Sequence, residues 1–145
     1  MPKTVIVLAA VTVLSSVLLA EEHFGVKVYP NAKTDASTAW YCKQLAPESQ
    51  RQAKQVAKAS ITTSAYCYRT ADDFVTVAAF YQKHAGLEAL GKITNTPSNK
   101  TAVFCLAGMK CAALDDGVDV TVTSPWADEQ KRQTDVLVTI RESRK

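Results

Sequence analysis

The residues of this chain with the most chemistry in them are four cysteines, Cys42, Cys67, Cys105 and Cys111, and two histidines, His23 and His84. Thiolates can attack, ligate zinc or close disulfides, and spacing decides among these. No pair forms a Cys-x-x-Cys, so neither a redox dithiol nor a zinc ribbon is signalled. A cysteine nucleophile needs a base beside it, and His23 and His84 are the only imidazoles. An even cysteine count in an exported chain reads as disulfides, with three possible pairings. We expect Cys105–Cys111 and Cys42–Cys67. Cys105 and Cys111 are symmetric about Gly108, so a tight hairpin over Ala107-Gly108-Met109 sets them opposite each other. Facing residues of an antiparallel pair lie roughly 4.5–5.5 Å apart at Cα, a span that disulfides accept. By chain entropy the short loop contributes about 2 kcal/mol and the Cys42–Cys67 loop about 3.5 kcal/mol.

The carboxylates give less. Adjacent Asp72-Asp73 diverge by about 100° on a helix and read as charges favoured at its N-terminus, not as an acid–base pair with His84. Asp115-Asp116-Gly117 is a turn signal, and the further oxygen ligands of a calcium loop are missing around it. Arg51, Lys54 and Lys58 recur at helical spacing and read as a solvated face rather than an anion-binding stripe. Asn99-Lys100-Thr101 is a formal glycosylation sequon, idle in a bacterial protein. No catalytic residue, metal or cofactor is expected, and we do not expect an enzyme.

The compartment is read from the start of the chain. Met1-Pro2-Lys3 leads into an apolar run from Val5 to Ala20, and Glu21-Glu22 follow at once. That is the layout of a signal peptide cut after Ala20, giving residues 1–20 as leader and 21–145 as one domain. The alternative is an uncleaved N-terminal anchor, although the run is short of the roughly 20 residues a spanning helix needs. The expected location is periplasmic or secreted, with no membrane span after processing. A net charge of only +3 argues against a dedicated nucleic-acid binder, which would show a basic stripe and a higher pI.

The elements that must position these residues follow from periodicity. Tyr29-Pro30-Asn31-Ala32 is turn-like. Asp35 caps a short helix through Trp40 and Gln44, and Pro47 starts a second one to Lys58. Ile61 to Arg69 is β-branched and aromatic, a strand. Thr70, with Asp73 three residues on, approximates a capping box for a helix whose stripe is Phe74, Val77, Ala78, Tyr81 and Ala85, ended by Gly86. Period-two patterns then give a weak strand from Leu87 to Thr94 and a loop from Asn95 to Asn99. Strands follow at Thr101 to Leu106, Val118 to Val122 and Asp135 to Arg141. One good helix followed by strands indicates an α+β domain. The expected form is an antiparallel sheet of about four to five strands against one main helix, with one or two short N-terminal helices.

Tyr29-Pro30-Asn31-Ala32, the helix motif Phe80-Tyr81-Gln82-Lys83 and Val118-Asp119-Val120-Thr121-Val122 with Ser124-Pro125-Trp126 carry a resemblance. The chain resembles small exported bacterial proteins of unknown function with a Tyr-Pro-Gly-Ala-like start and a helix ending in Phe-Tyr-Lys. Asn31 stands where that pattern has glycine. The resemblance implies a bacterial envelope protein and carries no catalytic residue over. The expected function is a non-enzymatic exported domain that binds a protein or cell-wall partner. The alternative is a small apolar-ligand binder with a cavity between helix and sheet, lined by Tyr66, Phe74, Phe80, Tyr81 and Trp126.

Overall fold

The computed structural model describes residues 20–56, 60–111 and 116–145. The expected leader from Val5 to Leu19, the end of the expected second helix at Ala57 and Lys58, and Asp115 of the turn lie outside those residues. In chain order the elements are a hairpin of β1 (Glu22–His23) and β2 (Val26–Lys27), α1 (Ala36–Val56), β3 (Thr62–Thr70), α2 (Phe74–Gln82), β4 (Leu87–Ala89), β5 (Thr94–Thr96), β6 (Asn99–Leu106), β7 (Gly117–Ser124), a small hairpin of β8 (Trp126–Ala127) and β9 (Arg132–Gln133), and β10 (Val136–Arg144).

The main sheet is antiparallel, in the order β3-β10-β7-β6-β4, with β5 also paired to β6. The fold is therefore α+β, with a sheet of six strands rather than four or five, and with two helices. Alternation sorts the side chains. Val118, Val120, Val122, Val136, Val138, Ile140, Ala102 and Phe104 point to one face, where Phe74, Val77, Ala78 and Tyr81 of α2 cover them. Cys67, Leu137 and Trp126 belong to the other face, under Tyr41, Cys42 and Leu45 of α1.

Two helix boundaries differ from expectation. Pro47 does not divide the N-terminal region; it lies inside the single 21-residue α1. A proline there removes one backbone bond and crowds the preceding turn. Tertiary ties on both sides hold the helix through it: the Cys42–Cys67 disulfide before it, and Gln50 Oε1 accepting from Ile61 N at 3.0 Å after it. The start is as expected, with Asp35 Oδ1 accepting from Thr38 N at 2.9 Å. Thr70 is not the cap of α2. It ends β3, paired with Val136, and Asp73 caps the helix by accepting from Thr76 N at 3.0 Å. Tertiary pairing holds Thr70, and the next good cap takes the helix end.

The expected strand from Leu87 to Thr94 is two short ones, β4 and β5, separated at Gly91, whose φ of 77° suits glycine. The expected loop from Asn95 to Asn99 is narrower than read: Asn95 and Thr96 belong to β5 and Asn99 to β6.

Candidate functional site

Both cysteine pairs are at bonding distance, Cys42 with Cys67 and Cys105 with Cys111, each with Cα atoms 5.7 Å apart. The pairing matches expectation, but the reason for the second differs. Cys105 does not face Cys111 across a hairpin ladder; its partners in the sheet are Glu88 and Asp119. Cys111 lies in the chain just past the Gly108 turn. That turn is closed by Met109 N donating to Leu106 O at 3.1 Å, with Gly108 at φ 82°. Cys67 and Cys105 project on the same face of the sheet by register. Each ties an overlying segment, α1 or the Lys110-Cys111 return, to that face.

Both histidines hold the N-terminal hairpin. His23 Nε2 lies 2.6 Å from the Tyr68 hydroxyl and 3.0 Å from Glu21 Oε1, and its ring stacks on Tyr66 at 3.5 Å. Tyr68 donates to the same Glu21 oxygen at 2.7 Å. Burial and that carboxylate push the Tyr68 hydroxyl well above its ordinary range, so it stays a proton donor. The Tyr68 and His23 hydrogen bonds hold Glu21 below the usual carboxylate range. His84 Nε2 accepts from Lys27 N at 3.2 Å, while Nδ1 meets Ala85 O at 2.8 Å, which defines the neutral tautomer with the proton on Nδ1. Neither imidazole is placed as the base of a thiol, because all four cysteines are in disulfides.

The five residues expected to line a ligand cavity do not converge. Phe74 and Tyr81 are buried in the core under α2, and Phe80 packs edge-on to Tyr81 and Tyr29. The Tyr81 hydroxyl is used, accepting from Tyr29 N at 3.1 Å. Tyr66 shares the α2 face by register, opposite Ile140, but lies on the edge strand, 43% exposed against His23 and Phe24. Trp126 is on the opposite face, edge-on to Tyr41 and under the Arg69 guanidinium at 5.5 Å. The cavity-lining set is corrected accordingly: alternation told which residues are apolar, not which face of the sheet Trp126 reaches after the chain leaves β7.

The carboxylates are structural ties. Asp72 accepts from Tyr29 and Asn31, and Asp73 caps α2. Asp116 Oδ1 accepts from Lys145 N. Asn99 of the sequon is exposed and accepts from the Thr101 hydroxyl at 3.0 Å. No group of three His, Cys, Asp or Glu side chains among the described residues is placed to hold a metal. The sequence reading missed Asp119, whose side chain is 7% exposed and pairs with Arg141 at 2.8 Å. Its second oxygen has no hydrogen-bond partner among the described residues. Burial pushes this carboxyl above its ordinary range, against the pull of Arg141. The signal available was a charged residue between two valines of a strand.

The most open feature is the outer edge of β3. Arg69 exchanges both backbone bonds with Lys33 on the side away from β10, so the backbone groups of the odd-numbered residues of β3 point outward and those of the even-numbered residues toward β10. Both ends of this edge are closed. Lys33 pairs with Arg69 in both directions, at 2.9 and 2.8 Å, and Gln50 Oε1 takes Ile61 N. Cys67 is buried and bonded to α1. Between them the outward N–H and C=O of Thr63 and Ala65 have no backbone or side-chain partner among the described residues. Thr62, Ser64 and Tyr66 beside them are exposed, and no charged residue or proline occurs from Thr62 to Tyr68. Natural sheets blunt such edges with charge, proline, bulges or a covering element, and an edge left open pairs with another strand.

These features define an α+β domain with a helix on each face of its sheet, both disulfides on one of those faces and an open stretch on one edge strand. No family model matches the chain, and no curated protein or solved structure matches it. No described helix is long and apolar enough to cross a membrane.

Proposed function

We propose that this chain is an exported, non-enzymatic domain of the bacterial envelope that binds a protein or cell-wall partner through the outer edge of β3. The observation that carries the reading is the uncharged stretch from Thr62 to Tyr66, open between two closed ends. Two disulfides support an oxidising, extracellular-type environment. The leader layout at residues 1–20 agrees with export. The other reading, a small apolar ligand held between helix and sheet, rests on Phe74, Phe80 and Tyr81 alone, since Tyr66 is exposed on the edge strand against His23 and Trp126 is on the opposite face.

The test is export of the full chain in a bacterial host, followed by binding of the purified product to envelope proteins and to cell-wall sacculi. The expected product begins at Glu21. It retains a partner that the Ala65→Pro variant does not. Equal retention by both, or a product confined to the cytoplasm, overturns the reading.

A further inference from the structure

We infer that the partner at this edge is a second copy of the chain, β3 against β3, antiparallel and centred on Ser64. This rests on the proposed use of the same edge and commits it to one occupant. The open stretch is complementary to itself. In an antiparallel ladder, hydrogen-bonded pairs form between residues whose groups point toward the partner. Here those are Thr63 and Ala65. A two-fold axis through Ser64 sets Thr63 of one copy opposite Ala65 of the other, twice, and all four outward N–H and C=O groups of each copy are then bonded. No other register of this short stretch on itself satisfies them all. One residue of slip leaves a donor facing no acceptor, and a slip of two runs either into Cys67, which is buried under α1, or into Ile61, whose N–H is taken by Gln50.

The side chains agree with that register. Ser64 meets Ser64, and Thr62 meets Tyr66, an aromatic and β-branched pair of the kind that stabilises neighbouring strands. No like charges oppose each other, because the stretch carries none. Tyr66, 43% exposed while its ring is already held by stacking on His23, presents a fixed surface for the opposing threonine. The Lys33–Arg69 bridge shows that this edge already accepts an antiparallel backbone at its far end. The interface is isologous, so it closes as a dimer rather than growing into a fibre, with the two six-stranded sheets joined edge to edge.

The experiment is the mass of the oxidised mature chain by light scattering and sedimentation across a concentration series. The wild type is expected at twice the monomer mass at high concentration, with the Thr63 and Ala65 amides slow to exchange. Ala65→Pro removes an outward donor without touching the β10 ladder, and Ser64→Lys sets two like charges opposite each other; each is expected to be monomeric. Ser64→Lys mixed with Ser64→Glu is expected to restore a heterodimer, which also covers the case in which the proline variant fails to fold. A wild type that stays monomeric overturns the proposal, as does a dimer that persists in both variants. A monomer that still retains an envelope partner through this edge overturns only the self-pairing; a dimer that retains nothing supports the self-pairing and overturns only the partner reading.

Discussion

Tyr29 donates its hydroxyl to Asp72 Oδ2 at 2.6 Å, so the Tyr-Pro-Asn-Ala turn is fastened to the chain just ahead of α2. Asn31 adds a second bond to the same oxygen at 2.8 Å. The turn itself is closed by Ala32 N donating to Tyr29 O at 2.9 Å. A local motif and a helix start, far apart in sequence, are thus one unit.

That unit has a pH signature. The Tyr29 and Asn31 bonds hold Asp72 below the usual carboxylate range. A depressed carboxyl contributes stability present above its unfolded value, about 3.9, and lost as pH falls through the folded one. Asp72→Asn is therefore expected to lower the melting temperature at neutral pH and to match the wild type in strong acid. On the alkaline side, the Asp72 carboxylate pushes the Tyr29 hydroxyl up to about 12. In Asp72→Asn, spectrophotometric titration should show one tyrosine ionising earlier than in the wild type. An unchanged alkaline titration would remove the link between the two.

Asp119 behaves in the opposite sense. Burial raises its carboxyl above the ordinary range despite Arg141. Stability tied to its protonated form is complete below the unfolded value, about 3.9, and is lost as pH rises through the folded one. Relative to the wild type, Asp119→Asn is expected to gain stability as pH rises from acid to neutral, measured by urea unfolding at a series of pH values. If the relative stability instead falls over that range, attraction to Arg141 exceeds the cost of burial.

The start of α2 separates two roles that the sequence merges. Asp73→Ala removes the cap and is expected to cost about 1 kcal/mol. Thr70→Ala leaves the cap in place; it loses only the bond from Asp72 N to the threonine hydroxyl, at 3.2 Å. Phe74 is 3% exposed in the core, and Phe74→Ala is expected to cost about 3–5 kcal/mol. At about 3–6 °C per kcal/mol the melting temperature should fall by about 10–30 °C. A nearly unchanged melting point for Phe74→Ala would mean that α2 is not anchored through this residue.

Much of the fold was legible because period and cysteine spacing are local. The valine alternation around Asp119 and the Phe74-to-Tyr81 stripe each needed only one segment to be read. What failed depended on distant partners. Pro47 sits mid-helix because Cys67 and Ile61 hold α1 on either side of it. Thr70 looked like a cap and is a strand residue because Val136 pairs with it. Asp119 went unread, since alternation cannot say whether the polar face of a strand is covered. The candidate interface was invisible for the same reason: β3 is an edge because it pairs with the distant β10 on one side and with no described strand on the other, which no local pattern records.

Gly117 supplies the last prediction. Its backbone is not in the left-handed region, so its need for glycine is one of space. A Cβ there would lie 3.1 Å from Cys111 Sγ and 3.2 Å from Lys110 O. The disulfide holds that sulfur by its bond to Cys105, and the same sulfur sits 3.1 Å from Val118 O, so it has little room to move. Gly117→Ala is expected to cost about 1–3 kcal/mol by overpacking. Replacing both Cys105 and Cys111 by alanine should by itself cost about 2 kcal/mol, the entropy of a loop this short. In that background the sulfur is gone and only the Lys110 carbonyl crowds the new methyl. The penalty of Gly117→Ala should then fall, and the two changes should couple by about 0.5–3 kcal/mol in a double-mutant cycle measured by urea unfolding. Strict additivity would mean that the loop yields freely and that the disulfide does not fix the identity of residue 117.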